Sequence, residues 1–133
     1  MYVFNFITTC IQTQKISMYK ALYLSPMIPS YNMRETAAFF IDLLGFGKVM
    51  YTDGYIILQK DNLSIHILNA GTDIGEMEFY LEVDEIDPLW ENMKERLPGI
   101  KVREPFDREY GMREVHIIIP HTKTLLFIGQ AIA

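Results

Sequence analysis

Pro29-Ser30-Tyr31-Asn32-Met33-Arg34-Glu35-Thr36-Ala37-Ala38-Phe39-Phe40, closed by Leu43-Leu44-Gly45-Phe46, is the stretch on which the fold turns. Asn32 suits a helix N-cap, because its short side chain can accept from the orphan N–H groups of the first turn, and Glu35 falls at the third helical position. Met33, Ala37, Phe40, Ile41 and Leu44 follow at 4-3-1-3 spacing, which predicts a helix with one apolar side. Gly45 ends it, as a residue that takes a left-handed conformation without strain. Upstream, Tyr23 to Pro29 is short, apolar and ends in proline, which predicts a first strand whose last residue lies at a sheet edge.

Downstream, Gly47 to Thr52 and Tyr55 to Gln59 flank Asp53-Gly54, which predicts two antiparallel strands joined by a type I′ turn with positive φ at both central residues. After the polar turn Lys60 to Asn62, Leu63, Ile65 and Ile67 alternate with Ser64, His66 and Leu68, giving another strand and the order β-α-β-β-β. Asn69 to Glu76, with Gly71 and Gly75, reads as a linker, and the order then repeats. Met77 to Val83 alternates as a strand, and a helix begins over Asp84 to Asp87 with Pro88 in its first turn. Leu89, Met93 and Leu97 form its stripe before Pro98-Gly99 stops it. Ile100 to Arg103, Arg113 to Ile119 and Thr124 to Gln130 supply three more strands. The expected fold is α+β: two βαβββ units, about 21–69 and 76–131, in a single domain over 18–133, with strands curling around a small-molecule pocket.

Composition narrows the function. Half of the 133 residues are hydrophobic and 22% are charged, enough apolar area to offset the entropy of ordering the chain. Seventeen acids against twelve bases give a net charge of −5, and no window is basic enough to neutralise a run of phosphates, which argues against nucleic acid. No apolar run approaches the ~20 residues of a membrane span. Cys10 is the only cysteine, so an intrachain disulfide is excluded, in keeping with a reducing cytoplasm. Met1 to Ile11 is apolar but has no basic n-region or small-residue cleavage site before Lys15, which disfavours a signal peptide. Residues 1–17 are expected to be an extension ahead of a natural start at Met18; the rival expectation is an N-terminal strand pairing with a second subunit.

The quoted stretch resembles the bleomycin-resistance and glyoxalase superfamily, also called vicinal oxygen chelate proteins. Asp53 to Gln59 is similar to that family's second and third strands, Glu109-Tyr110-Gly111-Met112-Arg113-Glu114 to its loop before the seventh strand, and Leu125 to Gln130 to its last strand. One departure is that the usual Asp-Pro-Asp-Gly turn before the last strand stands here as Pro120-His121-Thr122-Lys123. The resemblance implies paired βαβββ units in an open, curved mixed sheet, completed by dimerisation. It leaves function open, because the fold hosts metal-dependent lyases, isomerases and dioxygenases beside metal-free binding proteins.

Metal enzymes of the superfamily place ligands on the first, fourth, fifth and eighth strands, and alignment puts Ser25, His66, Glu78 and Phe127 at those positions. Phe127 has no donor and a neutral Ser25 is a poor ligand, so His66 and Glu78 are weak candidates for a divalent ion that wants three or four donors. The bland alternative makes His66 an imidazole on a pocket face, hydrogen-bonded to Glu78 or to water. His116, in an apolar strand, and His121, in a turn, carry less information.

Bleomycin-resistance proteins sequester a flat, cationic aromatic drug in grooves between two subunits, and the resemblance implies such a role here. Tyr110 and Tyr55 are the aromatic candidates for a ligand face, with Tyr51, Phe106 and Trp90 as further ring area; Trp90 also reads as helix-to-sheet packing, and Phe39, Phe40 and Phe46 as core. Ring stacking is worth about 0.5–1.5 kcal/mol per pair beyond burial. Arg113 either pairs with Glu114 at a strand start or reaches an anionic ligand. Glu76, Glu78, Glu82, Asp84, Glu85 and Asp87 could attract a cation, or form a solvated face with helix N-terminal acids. The expectation is a cytoplasmic, metal-free homodimer that binds a small aromatic or cationic molecule at His66, Glu78, Tyr55, Tyr110, Arg113 and Phe127, with a glyoxalase- or dioxygenase-like metalloenzyme as the alternative.

Overall fold

The computed structural model describes residues 18–132, so the expectations for residues 1–17, Cys10 included, lie outside the described residues. In chain order the elements are β1 (Met27–Ser30), α1 (Met33–Ala38) running into a π-helical turn (Phe39–Leu43), β2 (Gly47–Tyr51), β3 (Tyr55–Lys60) and β4 (Leu63–Asn69). The second unit follows with β5 (Met77–Glu82), α2 (Ile86–Met93) ending in a 3-10 turn (Lys94–Arg96), β6 (Val102–Arg108), β7 (Met112–Ile118) and β8 (Thr124–Ala131). Each unit forms its own four-stranded sheet, ordered β1-β4-β3-β2 and β5-β8-β7-β6, and neither sheet closes. In both, the first and last strands pair in parallel and the remaining neighbours are antiparallel.

Local signals set most element ends. Asn32 caps α1 by accepting from the Glu35 N–H at 3.2 Å, and Gly45 takes φ 76° after the helix. The π turn widens the helix by one residue. As a result the adjacent Phe39 and Phe40 are both buried, and Phe40 meets Phe39 and Phe46 edge-on at 5.2 and 5.5 Å. α2 starts from Glu85, and its first N–H groups include Ile86 N–H, which donates to the Gln130 side chain at 2.8 Å.

Four expectations are corrected. The first strand covers Met27–Ser30, not Tyr23 to Pro29, because Pro26 has no N–H to give and contributes only its carbonyl, which accepts from His66 N–H at 3.0 Å. Neither Asp53 nor Gly54 has positive φ; the Thr52 hydroxyl closes that hairpin by accepting from Tyr55 N–H at 2.9 Å. The turn with two consecutive positive φ angles is Asp61 (49°) and Asn62 (72°), between β3 and β4. The sixth strand runs on to Arg108, because a bulge between Arg103 and Phe106 accommodates Pro105 on an edge strand. Arg113 and Glu114 do not pair: as strand neighbours they point to opposite faces, and Arg113 binds Asp107 and Asp87 instead.

One face of each sheet is covered. Ile28, Ile56, Leu58, Ile65 and Ile67 from the first sheet and Val115, Ile117, Ile119, Leu126 and Ile128 from the second join the helical Phe40, Ile86 and Met93 in one contiguous core. Polar ties hold the units together: the β7–β8 turn accepts from Tyr31 N–H at His121 O (2.8 Å) and from the Thr36 hydroxyl at Pro120 O (2.8 Å). Phe40 is 1% exposed, and Phe40→Ala should lower stability by roughly 3–5 kcal/mol. A shift of the urea midpoint with an unchanged slope is the expected measurement; a loss under 1 kcal/mol, on the order of a surface change, would contradict this packing.

Candidate functional site

Strand alternation puts the residues opposite the core on an open face of each sheet. On the first sheet that face is centred on His66, with Met27 and Ile57 as its cross-strand neighbours and Tyr55 beside Leu68. His66 is held at both ring nitrogens: Nε2 lies 2.9 Å from the Tyr23 hydroxyl and Nδ1 lies 2.7 Å from the Tyr55 hydroxyl. The two phenol rings stand at 5.9 and 5.5 Å from the imidazole, centroid to centroid. The partner expected for His66, Glu78, is replaced by these tyrosines. Glu78 itself is exposed on β5, and its side chain makes no hydrogen bond or ion pair among the described residues. Ser25 precedes β1, and its hydroxyl donates to the Ser64 carbonyl at 2.8 Å.

On the second sheet, Phe127 lies in register with Tyr80 on one side and His116 on the other. The His116 ring sits between Phe127 at 4.2 Å and Phe106 at 5.0 Å. Next to it is Glu114, only 4% exposed, whose carboxylate accepts from the Tyr110 hydroxyl at 2.7 Å and from His116 Nε2 at 2.9 Å, with Arg108 Nη1 at 3.5 Å. Burial alone would push the Glu114 carboxyl up, but the His116 and Tyr110 hydrogen bonds outweigh it and hold the group below its ordinary value. The Arg108 guanidinium lies over both the Tyr110 and Phe106 rings at 4.9 and 5.5 Å. Tyr80 packs against Gly129, where a Cβ would come within 2.7 Å of its ring. Its phenol is pushed well up by burial and by its hydrogen bond to Glu82 at 3.1 Å.

The six site residues expected from sequence are therefore not one cluster. His66 and Tyr55 share the open face of the first sheet; Phe127 and Tyr110 belong to that of the second, and Glu78 lies along its β5 edge. Arg113 points to the helix-covered side, with Asp107 at 2.7 Å and Asp87 at 2.8 Å, and these carboxylates hold its pKa well above the ordinary value. Tyr51 lies beneath Arg34 and Lys48, Trp90 packs against the core, and His121 pairs with Glu35 rather than standing free. The six acids from Glu76 to Asp87 are all exposed. A cleft of about 320 Å³ between the units has Tyr23 and Tyr80 in its wall, so one tyrosine from each open face borders it.

Glu114, His116 and Tyr80 are not among the site residues expected from sequence, where Glu114 stood only as a partner for Arg113 and His116 as a histidine in an apolar strand. The signal was available: Glu114 and His116 are two apart in a strand whose other face is Val115, Ile117 and Ile119, so an acid and an imidazole had to share the face away from the core.

No protein-family model matches the chain, and neither does any curated protein. Solved structures do. The bleomycin resistance determinant encoded on transposon Tn5 is 25% identical, with a TM-score of 0.67 over 84% of this chain and 98% of that one. A bleomycin-binding protein solved in complex with bleomycin is 26% identical, with a TM-score of 0.65 over 83% and 98%. A glyoxalase/bleomycin resistance protein/dioxygenase from Nocardioides, at 11% identity, gives a TM-score of 0.70 over 98% and 93%. The chain has the fold of the glyoxalase/bleomycin-resistance/dioxygenase superfamily. Among the members of that superfamily, it is similar in sequence as well as fold to the bleomycin resistance determinant and the bleomycin-binding protein, at 25% and 26% identity.

The lowered pKa of Glu114 fixes a pH dependence. A carboxyl depressed in the folded state adds stability above its unfolded value and loses it as pH falls through the folded one. Wild type should exceed Glu114→Gln by about 1–3 kcal/mol at neutral pH. The gap should narrow as pH drops below 4.5, the ordinary glutamate value. Urea unfolding of both proteins along a pH series measures it; a gap that stays constant to low pH would contradict the assignment.

Proposed function

We propose that this protein is a metal-free, small-molecule-binding protein of the bleomycin-resistance type, which holds a planar, cationic or aromatic ligand on its open sheet faces. One observation carries the proposal: each open face presents rings around a central imidazole, Tyr23 and Tyr55 at His66, and Phe106 and Phe127 at His116. Such faces offer stacking area, uncharged around His66 and bordered by Arg103, Arg108 and Glu114 around His116, and a net charge of −5 favours the approach of a cation. Relatives at 25% and 26% identity that are a bleomycin resistance determinant and a bleomycin-binding protein support the same ligand class.

The donor set does not fit a resident metal. Of the four positions where metal enzymes of the fold place ligands, Phe127 has no donor atom and the Ser25 hydroxyl is committed to a backbone carbonyl. His66 has both nitrogens engaged by phenols, and among the described residues no three His, Cys, Asp or Glu side chains are grouped to hold an ion.

The proposal includes a homodimer. Met27 and Met50, 48% and 45% exposed, share the open face of the first sheet with Ile57 and Leu68, an apolar surface that suits contact with a second chain beside the ligand. No helix among the described residues is long and apolar enough to cross a membrane, and a cytoplasmic location is part of the proposal. Calorimetric titration with bleomycin and a panel of aromatic cations should give saturable heat in metal-free buffer. Heat that appears only after a divalent ion is added, or with none of the compounds, would sink the proposal. Light scattering should return the mass of two chains at micromolar concentration; a one-chain mass would refute the dimer.

A further inference from the structure

The histidines at the centres of the two open faces differ in their hydrogen bonding. His66 has phenol partners at Nε2 and Nδ1, whereas His116 has one at Nε2 only, the Glu114 carboxylate at 2.9 Å. An ionised carboxylate can only accept, so His116 Nε2 carries a proton, and whenever the ring is neutral its Nδ1 is a bare lone pair. That Nδ1 has no hydrogen-bond partner among the described residues. No sealed side-chain nitrogen or oxygen among them lacks a partner, so Nδ1 must be open to solvent.

The surroundings fix this arrangement. Tyr110 binds the second oxygen of Glu114 at 2.7 Å and stops the carboxylate from rotating, while Phe106 and Phe127 grip the imidazole from two sides. The His116 side chain is 15% exposed, so its ring is held while one edge stays reachable. A buried carboxylate that orients an imidazole and leaves the far nitrogen bare is an arrangement for accepting a proton or a hydrogen bond.

We propose that Glu114 and His116 form the acceptor site of the ligand-binding face: Nδ1 of His116 takes a hydrogen bond from an N–H or O–H at the edge of a planar ligand stacked on Phe127. The site rests on the small-molecule-binding reading above and adds the chemistry that selects the ligand, an aromatic or heteroaromatic ring bearing a donor. His116 acts at the ligand, and Glu114 and Tyr110 are positioning residues that keep the tautomer.

Two measurements test it. Diethyl pyrocarbonate acylates a bare imidazole nitrogen, so at neutral pH the wild-type protein should be modified several-fold faster at His116 than at His66, as followed by peptide mass mapping. Equal rates, or faster reaction at His66, would overturn the proposal. Calorimetry with bleomycin as the probe supplies the second measurement. His116→Phe keeps the ring stack but removes Nδ1, and should weaken binding about threefold to tenfold, the worth of one neutral hydrogen bond. If wild type binds and His116→Phe binds equally well, the acceptor site is refuted and the binding reading stands. If wild type does not bind, the binding reading falls, and the modification rates alone decide whether His116 presents a free nitrogen.

Discussion

One short helix can cover only one face of a four-stranded sheet, and the rest of this molecule follows from that constraint. In each unit the first strand pairs in parallel with the last, so the chain must cross over between them, and the helix in that crossover packs on the face it passes. The covered faces of both sheets then merge in one core, where Phe40, Ile86 and Met93 meet strand residues from each unit. Among the described residues, the opposite faces have no layer of their own. They keep half-buried apolar and aromatic side chains, and five of the six expected site residues, all but Arg113, lie on them or at their edge, whereas Tyr51 and Trp90 pack against the core.

An open face can carry charge only if the charge is compensated. Glu114 is almost fully buried there although it lies away from the core, and desolvation of its carboxylate is offset by a phenol, an imidazole and a guanidinium arranged around it. Gly129 belongs to the same design. Its missing Cβ leaves room for the Tyr80 ring to lie on β8, which adds aromatic surface beside Phe127 without raising the face. Arg113, one residue before Glu114, shows the other solution: it leaves the open face altogether and is neutralised at the helix side by Asp107 and Asp87.

Element order, the helix cap at Asn32, the stop at Gly45 and the alternation of β4 and β7 were legible in the sequence, because each depends on residues within one turn or one strand. Turn type was less legible. Asp53-Gly54 has the composition of a type I′ turn, yet the neighbouring Thr52 hydroxyl offered a local closure that needs no positive φ, and the left-handed pair formed at Asp61-Asn62. The long sixth strand was hidden by Pro105, which breaks a central strand but is tolerated at an edge bulge. Whether a strand is at the edge is a property of the assembled sheet.

The sequence by itself determined that His66 and His116 would both face away from the core, since a period of two places each opposite its isoleucine and valine neighbours. Only the tertiary structure decided what each histidine is bonded to. The phenols that saturate His66 come from 11 and 43 residues away, one across a hairpin and one from the chain before β1, so their meeting depends on register and on the path of that segment. His116 meets a carboxylate two residues away, yet the bare nitrogen on its other side exists because no tyrosine among the described residues reaches it in the folded sheet. Spacing along the chain sets the face of a side chain, while hydrogen-bond partners are set by distances of about 3 Å between segments that the sequence does not adjoin.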